Sequence, residues 1–131
     1  MALRIFATKS FGRFCRRERV DDLHLCEAIE RAERGLIDAD LGSGLIKQRV
    51  ARVGQGRSGG FRVLLAYQPR IRAAFLYGFA KSERGNVDGD ELARLRRAAS
   101  EMLSWNNAQI VRLLAAGEWR EIKSNDEEEQ D

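Results

Sequence analysis

The feature that most constrains this chain is a central block in which apolar residues stop recurring at helical spacing and begin to recur as strands do. Phe61 to Tyr67 is a run of apolar and aromatic residues interrupted only by Arg62. Gln68-Pro69-Arg70 follows with the only proline, which suits a turn, and Ile71 to Ala80 returns with Phe75, Tyr77 and Phe79. Ahead of them, Leu45-Ile46-Lys47-Gln48-Arg49-Val50 is short enough for a strand, and alternation places Lys47 and Arg49 on one face. Three strands in series predict an antiparallel meander. Between the first two, Gly54-Gln55-Gly56-Arg57-Ser58-Gly59-Gly60 holds too many glycines for a regular element and reads as a loop.

Helical spacing flanks this block on both sides. Arg4 to Ala7 reads as an opening strand; then Phe11, Phe14 and Cys15 recur as one helix face, with Thr8 or Ser10 as N-cap. Arg13, Arg16, Arg17 and Arg19 take another face. A second helix starts at Asp21-Asp22, buries Leu25, Cys26, Ile29 and Ala32, and stops at Gly35. Beyond the strands, Asp88 and Glu91 resemble a capping box ahead of Leu92, Leu95, Ala99, Met102 and Leu103. Asn106 or Asn107 caps a last helix through Leu114, ended by Gly117. The predicted order is β-α-α-β-β-β-α-α, an α+β fold with the helices packed on one sheet face. Residues 1–123 are expected to form one domain, and the polar acidic stretch 124–131 a disordered tail.

Charge is distributed less evenly than the net +3 suggests. Residues 43–84 carry nine basic side chains (Lys47, Arg49, Arg52, Arg57, Arg62, Arg70, Arg72, Lys81 and Arg84) against Glu83 alone, a net of +8. Residues 121–131 carry a net of −5, and the other segments balance. The basic block points to a polyanionic partner such as a nucleic-acid backbone. No run approaches the length of a membrane span, and the first residues do not read as a signal peptide, so the chain is expected in the cytoplasm, with no membrane partner. Cys15 and Cys26, with no second pair nearby, read as buried reduced thiols and not as a zinc site. The glycine-rich loop lacks the spacing of a nucleotide-binding fingerprint.

Several segments together resemble a known family. Arg34-Gly35-Leu36-Ile37-Asp38-Ala39-Asp40-Leu41-Gly42, the run Leu45 to Arg52, Gly56-Arg57-Ser58-Gly59-Gly60-Phe61-Arg62 and the run Phe75 to Arg84 are similar in order and spacing to RelE/HigB-type toxins of type II toxin–antitoxin systems. The most specific part is a Gly-Gly-aromatic-Arg step entering one strand after a Lys-x-Arg strand. The similarity runs from about Arg4 to Leu103. It implies a RelE-like fold akin to microbial ribonucleases, cleavage of mRNA on translating ribosomes with inhibition of translation, and a cognate antitoxin, often a small helix-turn-helix protein that also represses the operon.

RNA cleavage without a metal requires a proton acceptor for the 2′-hydroxyl, a donor for the leaving 5′-oxygen, and cations around the phosphate. His24 is the only histidine and lies among acidic helix residues, and the basic block offers one carboxylate, too few for a metal site. Neither a cofactor nor a metal is expected. Positioned cations remain. By the resemblance, Arg62 matches the strand arginine that meets the scissile phosphate, Lys47 and Arg49 match the basic residues near the reacting oxygens, and Lys81 and Arg84 match the basic end of the last strand. Like charges around an ammonium favour its neutral form, which makes Lys47 the candidate acceptor of the 2′-proton. Arg52 and Arg57 are candidates for RNA binding. Many relatives use a late tyrosine as the acid, and no tyrosine follows Tyr77.

Plainer roles stand beside these: Arg62 paired with a carboxylate of the last helices, Lys47 and Arg49 as a solvated face, Arg70 and Arg72 as exposed charges, and Tyr67, Phe75, Tyr77 and Phe79 as core. Two other functions fit the same fold. One is a nucleic-acid or ribosome binder without cleavage; the other is an antitoxin-paired transcriptional co-regulator.

Overall fold

The computed structural model describes residues 3–51, 60–81 and 87–123. Among them the chain forms β1 (Arg4–Thr8), α1 (Lys9–Glu18), α2 (Asp22–Glu33), β2 (Ala39–Gly42), β3 (Leu45–Val50), β4 (Phe61–Gln68), β5 (Arg72–Ala80), α3 (Gly89–Ser104), α4 (Asn107–Ala115) and β6 (Trp119–Ile122). The α+β class and the predicted elements are present, and two short strands, β2 and β6, extend the order at the sheet's edges. The six strands lie in the order β2-β3-β4-β5-β1-β6. Only β1 and β5 run parallel; the other neighbours are antiparallel. The stretch 52–59 that joins β3 to β4, where the glycine-rich loop was expected, lies outside the described residues, as does the tail 124–131.

Local chemistry sets most element ends. Thr8 caps α1 by accepting from Phe11 N at 3.2 Å, Asp21 caps α2 from His24 N at 3.0 Å, and Asp88 caps α3 from Glu91 N at 2.8 Å. Asn106 and Gln109 form a reciprocal capping box on α4. After α2, Gly35 at φ +84 lets Leu36 N return to Arg31 O at 2.8 Å, which satisfies a carbonyl of the last turn. The β2–β3 hairpin turns on Ser43 and Gly44, both at positive φ, as a tight two-residue turn requires.

The helices are not confined to one face, as the sequence led us to expect; they cover both. Ile46, Val50, Val63, Leu65 and Phe75 pack with Phe11, Phe14, Leu25 and Ile29 of α1 and α2. On the opposite face, Leu45, Leu64, Ala66, Ala74 and Phe6 pack with Ala99, Met102 and Ile110 of α3 and α4. The physical cause is visible in β4, where every residue from Phe61 to Tyr67 is buried: a strand with apolar side chains on both sides must be covered on both sides. Cys15 and Cys26 are buried and unbridged in the first of these cores, and burial pushes the Cys15 thiol up to about 11, well away from thiolate formation at neutral pH.

Two arginines expected as exposed charges part company. Arg70 is exposed, its backbone N–H donating to Glu33 of α2 at 3.0 Å. Arg72 is half-buried instead, and its Nη1 donates to Met102 O at 2.7 Å in the last turn of α3. Helix ends leave carbonyls without partners, and the first residue of β5 sits where it can supply one. Among the described residues, no helix is long and apolar enough to cross a membrane.

A basic strand face as candidate active site

Register decides which cations share a surface. Arg49 of β3 lies opposite Arg62 of β4, and Arg62 lies opposite Phe79 of β5. Two residues along, Lys47 lies opposite Leu64 and Leu64 opposite Tyr77. Side chains alternate, so Lys47, Arg49 and Arg62 stand on one sheet face with Tyr77 and Phe79, the face on which α3 packs. Directly opposed residues hold their Cβ atoms about 5 Å apart, and residues two apart on a strand about 7 Å. Those spacings bracket one phosphate group. Lys81, two residues after Phe79 and just beyond the end of β5, is exposed, its N–H directed at Gly60 O at 3.5 Å. Arg52, Arg57 and Arg84 lie outside the described residues.

Exposure is graded across the group. Arg62 is 8% exposed, Lys47 is half-buried, and the Arg49 side chain is 47% exposed. Burial pushes the Arg62 guanidinium below its usual pKa, the nearby charge of Arg49 pushes the same way, and Asp38 opposes both. Two guanidiniums facing each other across a strand pair repel, and an anion between them relieves the repulsion.

Asp38, which the sequence did not single out, belongs to this site by its contacts. It lies beyond the pairing of β2 with β3, where Arg49 has no neighbouring strand on that side. Its Oδ2 accepts from Arg49 N at 2.7 Å and its Oδ1 from Arg49 Nη2 at 3.2 Å. Arg31 of α2 ion-pairs with Asp38 at 3.4 Å and donates to Arg49 O. Two side chains thus take the place of a missing strand around Arg49. Gln48, fully buried, braces this edge: its Nε2 donates to Ala28 O at 3.0 Å and Leu36 O at 3.2 Å, and its Oε1 accepts from Asp38 N at 2.7 Å.

Burial alone pushes the Asp38 carboxyl up, but the Arg49 N–H, the Arg49 guanidinium and the Arg31 charge more than reverse this and hold it below its ordinary 3.8. A depressed native pKa adds stability that is complete at pH well above 3.8 and disappears as the pH falls through the lowered native value. Asp38→Asn is therefore expected to lower stability at pH 7 by about 1 kcal/mol. Urea unfolding should show the gap between the two chains closing below pH 3.8; a gap independent of pH would mean that the charge of Asp38 does nothing for the fold.

Of the other residues weighed in the sequence, His24, Tyr67 and Phe75 lie off this face, whereas Tyr77 and Phe79 lie on it. His24 sits in the first turn of α2 with Nδ1 2.6 Å from Asp21 Oδ1, a capping arrangement. Tyr67, Phe75 and Phe79 are core, whereas Tyr77 is half-buried, its ring 6.1 Å from that of Phe79. Among the described residues, no three His, Cys, Asp or Glu side chains gather where they could hold a metal ion.

These features define a small α+β protein with a two-sided core and a cation-rich strand face. Residues 3–122 match the family described as "RelE toxin of RelE / RelB toxin-antitoxin system", and the chain belongs to that family. Comparison with curated proteins and with solved structures found no match. Membership bears out the resemblance read from the sequence and places the chain in a class whose toxins are paired with an antitoxin.

Proposed function

We propose that this chain is a metal-independent endoribonuclease toxin that cuts mRNA on translating ribosomes in the cytoplasm and is held inactive by a cognate antitoxin, a small helix-turn-helix protein. The observation that carries the reading is the register placing Arg49 opposite Arg62 with Lys47 on the same face. Attack of the 2′-oxygen builds negative charge on the phosphoryl oxygens. The Arg62 fork meets two of them, and Arg49, steered by Asp38, meets the same phosphate from the neighbouring strand. Lys47 takes the 2′-proton, and Lys81 and Arg84 neutralise the leaving 5′-oxygen. Arg52 and Arg57 hold the RNA backbone to either side. Catalysis on this reading is positioning plus electrostatic stabilisation of a dianionic phosphorane-like state.

One observation favours the non-catalytic alternative: Asp38 already engages the Arg49 guanidinium, which leaves that cation partly neutralised. Mapping mRNA 5′ ends after induction separates the two readings. New ends within coding regions under the wild-type chain, absent under Arg62→Ala, support cleavage. Growth arrest with no new ends supports binding alone.

A further inference from the structure

β1 pairs with β5 only as far as Ala7 opposite Phe75; the chain then turns into α1, so the stretch of β5 from Leu76 to Ala80 has no strand on that side. A cleft of about 200 Å³ opens there, between α1 and the strand edge, with Ser10, Arg13 and Arg17 on one wall and Leu76, Tyr77 and Gly78 on the other. Gly78 makes the close approach of the two walls possible, since a Cβ at that position would lie 2.4 Å from the Phe14 ring. A larger adjoining cleft of about 460 Å³ shares Ser10 and Arg13 but has Glu118 in its wall, which disfavours an anionic chain.

The helix forming this wall is strongly basic. Lys9, Arg13, Arg16 and Arg17 lie in α1 against the single acid Glu18, which pairs with Arg17 at 3.2 Å. Lys9, Arg13 and Arg17 follow one another at four-residue spacing, about 6 Å apart along one face. Like charges at that spacing weaken a helix unless an anion lies along them. Among the described residues, neither Lys9 nor Arg13 has an ion-pair partner. Tyr77 joins this cleft to the basic strand face: it lines the cleft, and in register it stands beside Leu64 and Lys47, next to the Phe79 that opposes Arg62.

We propose that this cleft is a second RNA subsite, which holds the single strand adjoining the nucleotide at the strand face. Arg13 and Arg17 take backbone phosphates, and a base lies against Tyr77, in the manner of sequence-tolerant single-strand binding. The proposal rests on the ribonuclease reading for the identity of the polyanion.

The test uses fluorescein-labelled 2′-O-methyl oligoribonucleotides of four and twelve residues, which the chain cannot cut, with binding read by anisotropy across a salt series. A tetramer fills the strand face alone, and a twelve-mer reaches α1. Wild type is expected to bind the twelve-mer roughly tenfold more tightly than the tetramer, a gain typical of two added phosphate contacts. Arg13→Ala/Arg17→Ala is expected to bind the two alike. Its salt slope for the twelve-mer should fall by about 1.4, since each phosphate neutralised on a single strand contributes about 0.7. A double variant that keeps the length advantage and the slope overturns the proposal, as does a wild-type chain with no length advantage. Failure of the ribonuclease reading shows elsewhere, as growth arrest on induction of the wild-type chain with no new mRNA 5′ ends.

Discussion

Arg62→Ala is expected to lower RNA cleavage by about a hundred- to a thousandfold, the cost of removing one preorganised donor from a developing oxyanion, and to abolish growth arrest on induction. The size of the effect follows from burial. At 8% exposure the guanidinium is largely withdrawn from water, so its field at a bound phosphate is weakly screened. Arg62→Lys keeps the charge but loses the planar fork, and should fall between the two chains. Cleavage is measured on programmed ribosomes with purified protein, and circular dichroism confirms that the variant is folded. Undiminished cleavage by a folded Arg62→Ala chain would remove the strand arginine from the mechanism.

Gln48→Leu is expected to cost about 3 kcal/mol of stability, because it leaves the buried Ala28 carbonyl and the part-buried Leu36 carbonyl and Asp38 N–H without the partner that satisfies them. For a chain of this length that is a drop in Tm of about 10 °C. Leucine fits the volume, so the loss reports unmet hydrogen bonds and not a cavity. The damage should also reach the site. Gln48 fixes the main chain that presents Asp38, and Asp38 fixes Arg49. Cleavage at a temperature where Gln48→Leu remains folded should therefore fall as well. A variant that melts as wild type does would show that the Gln48 bonds contribute nothing net.

The parts of this fold legible in the sequence are those where one residue's chemistry decides the matter. Thr8, Asp21, Asp88 and Asn106 cap where short polar side chains ahead of apolar periodicity predict it. The meander of β3, β4 and β5 follows from its apolar runs and from the Pro69 turn. What was missed depends on pairing at a distance. β2 and β6 have four residues each, carry Asp, Gly, Arg or Glu, and become strands only because β3 and β1 offer them an edge. The two-sided helix arrangement was written in the unbroken apolar run of β4, whose missing alternation is the mark of a strand covered on both faces.

The site divides in the same way. That Lys47 and Arg49 share a face is a matter of parity and could be read directly. That Arg62 stands opposite Arg49, and not one residue to either side, depends on register, which no single strand encodes. Asp38 was hidden because its partners, the main chain and guanidinium of Arg49 and the side chain of Arg31, lie eleven and seven positions away, where no local pattern reports them. Its signal was positional: a carboxylate just before a short edge strand, beside a strand whose outer edge outlasts its neighbour.

The central claim is that Lys47, Arg49 and Arg62 hold one phosphate between them. NMR titration with a trinucleotide carrying a 2′-deoxy sugar at the cleavage position tests it directly, because that ligand can bind but cannot be cut. The account predicts that the Nε–Hε signals of Arg49 and Arg62 and the side-chain signals of Lys47 shift together along one saturation curve. Saturation with those three sets unmoved, or moving with different affinities, would contradict it.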